Sequence, residues 1–305
     1  MNELPIGIFD SGVGGLTVYR ALHDRLPNEH FVYLGDTARV PYGTKSLATV
    51  ERYALENSEF LASRGIKMLV VACNTASALA LPKIRERIGI DVVGVIGPGG
   101  RRAVASGQWS VVGEKDKPDL TTGHRPPTTL KIGVIATEAT VASNAYVEAI
   151  RRASPEAEVM QASCPLFVPL AEEGWTAEPE TFSIAERYLK QMKAFAPDAL
   201  VLGCTHYPIL RDVIQQTVGE GVRLIDSGEA TADEVAALLT EKGLANPNSP
   251  SGKRRLCDDL DHFYVTDAAE RFANVAERFL GTKPSKLEAI EVYGRDEVRS
   301  GNVKM

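Results

Sequence analysis

Two cysteines occupy matching settings in this chain: Met68-Leu-Val-Val-Ala-Cys73-Asn74-Thr75 and Ala199-Leu-Val-Leu-Gly-Cys204-Thr205-His206. Each thiol follows an apolar run of strand length and precedes hydroxyl or amide residues that open a helical pattern. Each sulfur is therefore expected where a strand meets a helix N-terminus. That position favours the thiolate over a free thiol, whose ordinary pKa is about 8.5. His206 stands two residues beyond Cys204, where it could hold compensating charge. A single buried cysteine is most often inert core. Two in equivalent positions instead suggest proton chemistry, with one sulfur removing a proton from one face of a carbon and the other delivering a proton to the opposite face.

The equivalence extends beyond the thiols. Ile6 aligns with Ile132, Val40-Pro41 with Val168-Pro169 and Cys73 with Cys204, at offsets of 126, 128 and 131 residues. A nearly constant offset implies duplicated halves. The first half reads as strand Ile6–Phe9, helix Gly15–Arg25, strand Phe31–Leu34, helix Leu47–Arg64, strand Met68–Ala72, helix Ala76–Ile88 and strand Val92–Ile96. The second repeats the order as strand Ile132–Ile135, helix Val141–Ala153, strand Val159–Ala162, helix Glu180–Ala196, strand Ala199–Leu202, helix Pro208–Val218 and strand Arg223–Ile225. This alternation predicts an α/β fold of two similar domains with parallel sheets, related by a pseudo-twofold axis. The site then belongs at the carboxyl ends of the strands, in the cleft between the domains.

Three segments break the pattern. Gln108–Thr129 is rich in Gly, Pro and charge and reads as a surface loop between the halves. Asn246–Lys253 is a second irregular stretch, and Lys283–Met305 reads as a charged tail.

Other strand ends carry candidate binding groups. Asp10-Ser11-Gly12-Val13-Gly14-Gly15 follows a strand and opens a helix, where free backbone N–H groups suit an anion. Its spacing differs from the dinucleotide fingerprint G-x-G-x-x-G, and no acidic residue is well placed for a ribose about 20 residues on. Taken alone it is equally a strand-to-helix turn with a capping Asp10 or Ser11. Tyr42-Gly43, in Val40-Pro41-Tyr42-Gly43, offers a phenol and a backbone amide near the same sheet edge.

Composition bounds the function. With 305 residues, 33.0 kDa and 44% apolar residues, the chain can bury the cores of two domains. A net charge of −6 with no basic run argues against nucleic acid. No apolar stretch reaches membrane-span length, and the N-terminus lacks the basic region of a signal peptide. Four cysteines without a CxxC pair indicate neither a disulfide framework nor a zinc site, and a cytoplasmic location is expected.

Several blocks together resemble the glutamate racemases of the aspartate/glutamate racemase family. They are Phe9-Asp10-Ser11-Gly12-Val13-Gly14-Gly15, Tyr33-Leu34-Gly35-Asp36-Thr37 with Pro41-Tyr42-Gly43, Ala72-Cys73-Asn74-Thr75-Ala76, Cys164-Pro165-Leu166-Phe167-Val168-Pro169 with Glu172, and Gly203-Cys204-Thr205-His206-Tyr207-Pro208. They lie in order across roughly residues 5 to 280, whereas aspartate racemases are similar only around the two cysteines.

The resemblance implies a cofactor-independent racemase, a homodimer without metal, supplying D-glutamate for peptidoglycan. It implies Cys73 and Cys204 as acid/base residues, with Cys204 deprotonating L-glutamate, supported by Asp10, Glu172 and His206. Substrate binding falls to Asp10, Ser11, Tyr42, Gly43, Asn74, Thr75, Thr205 and His206. It also implies interleaved domains, 1–98 with 212–305 and 99–211. Packing is expected for Cys164 and Cys257. Competing readings are a racemase of aspartate or another acidic amino acid, a non-catalytic amino-acid-binding protein, and a nucleotide-dependent oxidoreductase.

Overall fold

The computed structural model describes residues 2–111, 129–248 and 254–292. In the first half the elements are β1 (Ile6–Asp10), α1 (Leu16–Arg25), β2 (Phe31–Gly35), a 3₁₀ turn (Tyr42–Thr44), α2 (Leu47–Ser63), β3 (Met68–Val71), α3 (Asn74–Leu79), α4 (Leu81–Arg87), β4 (Asp91–Gly94) and α5 (Ile96–Val111). The second half contributes β5 (Lys131–Ala136), α6 (Glu138–Ala142), α7 (Ala145–Ala153), β6 (Glu158–Ser163), α8 (Phe167–Glu173), α9 (Pro179–Phe195), β7 (Ala199–Gly203), a 3₁₀ turn (Tyr207–Leu210), α10 (Arg211–Val218) and β8 (Arg223–Asp226). The chain continues through α11 (Ser227–Glu241), β9 (His262–Val265), α12 (Ala269–Leu280) and β10 (Leu287–Ala289).

Two parallel sheets result, with orders β10-β9-β2-β1-β3-β4 and β6-β5-β7-β8. The inner order β2-β1-β3-β4 of the first recurs as β6-β5-β7-β8 in the second, as the sequence repeat implies. Strands β1, β2, β3 and β7 are buried throughout because helices cover both faces, which is why they read as unbroken apolar runs rather than alternating ones.

The helices that follow β4 and β8 cross over. α5 leaves the first sheet and packs on β7, β8 and α7 of the second half, and α11 leaves the second sheet and packs along α1. The second sheet also takes in β8, beyond the boundary at residue 211 expected from the sequence, because β8 pairs with β7 from Ala199↔Arg223 to Leu202↔Asp226.

Several helices differ from expectation. The expected helix Ala76–Ile88 is two, α3 and α4, separated at Ala80 with Pro82 in the first turn of α4. The expected helix Val141–Ala153 breaks at Asn144, whose φ of 56° is left-handed. Part of the expected Gln108–Thr129 loop, through Val111, completes α5, and residues 112–128 lie outside the described residues. Gly97-Pro98-Gly99-Gly100 hid the start of α5, although proline is tolerated in a first turn, where no N–H acceptor is needed.

Within the expected Lys283–Met305 tail, Leu287–Ala289 forms β10 against β9, and residues 293–305 lie outside the described residues. Of Asn246–Lys253, residues 249–253 are likewise outside. Helix α12 went unread although its stripe of Phe272, Val275, Ala276, Phe279 and Leu280 has helical spacing and is buried.

Candidate active site

The carboxyl ends of β1 and β3 in the first sheet face those of β5 and β7 in the second across a cavity of about 260 Å³. Ser11, Cys73, Asn74, Thr75, Tyr42 and Gly43 line it from the first half; Thr137, Glu172, Cys204, Thr205 and His206 line it from the second. Val40-Pro41 and Val168-Pro169, paired by the sequence repeat, give it apolar walls from both sides. No Lys or Arg belongs to the lining. Among the described residues, no three His, Cys, Asp or Glu side chains gather as a metal would require.

Cys73 is the N-cap of α3, and its Sγ accepts from the Ala76 N–H at 3.4 Å while reaching the Ser11 hydroxyl at 3.5 Å. The expectation that a helix N-terminus favours the thiolate fails here. Burial pushes the Cys73 thiol up to about 12, and the nearby Asp10 adds to the rise, outweighing the bonds from Ser11 and Ala76. One N–H at a six-residue helix does not replace the lost hydration of a fully enclosed sulfur, so Cys73 is a neutral thiol at pH 7.

Asp10 itself is fully buried and stands behind the cavity wall rather than in it. It caps the glycine turn by accepting from the Gly12 N–H at 2.9 Å, and its Oδ1 has no partner among the described residues. Burial raises its pKa, partly opposed by the charge of His206.

Cys204 sits before a turn and a short 3₁₀ segment rather than a regular α-helix. Its Sγ lies 3.8 Å from His206 Nδ1, and His206 Nε2 lies 3.0 Å from Glu172 Oε1. Burial works against charge on His206, but hydrogen bonds to Cys204 and Glu172 overcome it and push the imidazole up to about 10. At neutral pH this places a cation beside the second sulfur. Burial would raise Glu172, yet the hydrogen bond and charge of His206, with Arg271, hold it below the ordinary carboxylate value.

The remaining predicted residues divide. Thr75 Oγ1 joins Thr137 Oγ1 at 2.9 Å and Thr140 Oγ1 at 3.2 Å, a hydroxyl cluster linking the halves. The Thr205 carbonyl accepts from the Thr17 hydroxyl at 2.8 Å. Gly43 packs so tightly against Thr137 that a Cβ there would lie 2.8 Å from that side chain. Tyr42 lines the cavity, but its phenol turns away, donating to Asp36 and accepting from Asn57 at 3.0 Å, so it is not the free polar group its sequence position suggested.

Thr137, Thr140 and Tyr146 were missed. A signal for Thr137 existed, since the offset of the first strands places it opposite Ser11. Cys164 and Cys257 are buried free thiols outside the cavity lining, both pushed up to about 12 by burial.

Twin parallel sheets each bring a thiol-bearing loop to one cavity, the arrangement of a two-domain α/β enzyme with its site between the halves. A family model for Asp/Glu/Hydantoin racemase matches residues 123–235. The glutamate racemase of Geobacter metallireducens is 50% identical over 292 residues, covering 96% of this chain and 98% of its own. A glutamate racemase isoform from Bacillus anthracis superposes with a TM-score of 0.82 at 33% identity, over 96% of this chain and 99% of that one. The Francisella tularensis glutamate racemase, solved in complex with D-glutamate, gives a TM-score of 0.81 at 36% identity over the same shares. The chain belongs to the glutamate racemase family and is an isomerase.

Proposed function

We propose that this chain interconverts L- and D-glutamate with Cys73 and Cys204 as two acid/base groups on opposite faces of the α-carbon. The observation that carries this reading is that both sulfurs open onto one cavity from opposite halves of the molecule. Inversion requires a proton to leave one face and another to arrive at the other, and a single base would tend to return the starting isomer. Cys204, beside the His206 cation, removes the proton of L-glutamate while the neutral Cys73 thiol delivers one to the far face. The roles reverse for D-glutamate.

A positioned acid or base supplies roughly 10² to 10⁴ in rate, so much of the barrier at so weakly acidic a carbon remains. Donors aimed at the α-carboxylate lower it further as carbanion character develops. The N–H groups of Asn74 and Thr75 in the first turn of α3 have no intrahelical acceptor and supply such donors, with Ser11 and Thr205. Hydroxyls and amides, rather than a Lys or Arg, hold the two carboxylates. The apolar walls of Val40, Pro41, Val168 and Pro169 exclude water and strengthen those contacts.

Asp10 acts from behind the wall by keeping the proton on Cys73, and Glu172 orients and charges His206. In the cell we assign the enzyme to the cytoplasm, as a homodimer supplying D-glutamate for peptidoglycan. The test is polarimetry of L-glutamate with purified protein and no added cofactor, with L-aspartate in parallel. D-glutamate should form, and faster than D-aspartate. No D-isomer from well-folded protein rejects the reading, and a preference for aspartate reassigns the substrate.

A further inference from the structure

The Asn74 side chain is 3% exposed, and its Nδ2 has no hydrogen-bond partner among the described residues. A buried amide donor left unpaired is costly, which makes it a place where an arriving acceptor is strongly favoured. Asn74 Oδ1, by contrast, is occupied, accepting from the Tyr146 hydroxyl at 2.7 Å. Tyr146 comes from α7 in the second half, so this bond crosses between the halves of the molecule.

The Tyr146 ring is held in a built slot. It is fully buried, and a Cβ on Gly203 would lie 3.0 Å from its edge while one on Gly99 would lie 3.3 Å from its ring and hydroxyl. Gly203 directly precedes Cys204, and Asn74 directly follows Cys73. One aromatic ring therefore touches the neighbour of each cysteine.

We infer that Tyr146 is a positioning residue. By holding Asn74 Oδ1, it turns Nδ2 toward the cavity as a donor for a substrate carboxylate, and its ring fixes the spacing of the two thiol loops. A hydroxyl donated to Oδ1 selects one of the two amide orientations, because the flipped amide would aim a donor at the phenol and a carbonyl at the anion. The inference rests on glutamate being the substrate, whereas the test separates the two ideas.

Tyr146→Phe keeps the ring and its packing and removes only the hydroxyl. Its apparent KM for both glutamate isomers should rise about tenfold, the order set by one buried hydrogen bond, with kcat changed less than about threefold. Added to Asn74→Ala, the same change should have little further effect, since the two act through one contact. Unchanged KM in Tyr146→Phe, or fully additive losses in the double variant, overturns the inference while wild-type racemisation stands. Failure of the wild type to racemise glutamate removes the underlying reading instead. If Tyr146→Phe does not fold, Asn74→Ala alone serves in its place, because it removes the donor that the phenol is held to orient. A severalfold rise in KM is then expected, and an unchanged value contradicts the assignment.

Discussion

The two thiol loops occupy equivalent places in duplicated halves, yet their surroundings differ in kind, with a buried carboxyl near one sulfur and an imidazole beside the other. Beside Cys73 stand the Ser11 hydroxyl, one backbone N–H and the buried Asp10, and the sulfur keeps its proton. Beside Cys204 stands an imidazole that its hydrogen bonds to Cys204 and Glu172 push up to about 10 against the effect of burial. The difference traces to two positions of the repeat: Ala136 stands where the first half has Asp10, and His206 where it has Thr75. Duplication thus supplies two thiols facing one cavity, and divergence at neighbouring residues gives them different partners, the asymmetry on which the proposed division of labour rests. A symmetric pair of thiols would gain nothing from sharing the same preferred state, because one must donate while the other accepts.

Removing either sulfur tests the comparison most severely. Cys73→Ser and Cys204→Ser should each lower racemisation by about 10² to 10⁴, the worth of a positioned acid or base. Polarimetry with both isomers measures this, and a variant that keeps its rate would show that one sulfur suffices.

The charge on His206 comes next. Its folded pKa is raised above the ordinary 6.5, so the stabilisation from its charge is complete below that value and is lost as pH rises through about 10. The value of kcat/KM should therefore fall on the alkaline side near pH 10, equally in both directions because enantiomers are equal in free energy. Glu172→Gln removes one source of the rise and should move that limb to lower pH. His206→Ala should reduce kcat/KM about ten- to a hundredfold, the worth of a hydrogen bond to a charged group. A pH profile that ignores both substitutions would erase the proposed asymmetry.

The smallest effect sharpens the boundary of the site. Because the Tyr42 phenol serves Asp36 and Asn57, Tyr42→Phe should cost about 1 to 3 kcal/mol of stability in urea unfolding and leave KM within about twofold.

Much of this was legible in the chain itself. The eight strands β1 to β8 were visible as apolar runs at a nearly constant offset, which also placed Val40-Pro41 and Val168-Pro169 over one cavity, whereas β9 and β10 were not read. Charge was not legible, because it depends on burial. The sulfur of Cys73 and the carboxylate of Asp10 are ordinary residues by type, and only enclosure turns a helix-capping thiol into a reluctant acid. Contacts between halves were hidden for a similar reason. Thr140 and Tyr146 carry no motif and matter only because the fold brings α6 and α7 against Thr75 and Asn74. Glycine and proline at the start of α5 concealed the crossover helix that completes this arrangement.

The most direct measurement follows the α-position early in turnover of L-glutamate in D₂O. If separate sulfurs serve the two faces, newly formed D-glutamate carries solvent deuterium while the recovered L-glutamate still carries hydrogen. Deuterium appearing equally in both pools, or D-glutamate that keeps the original hydrogen, would contradict the two-sided account.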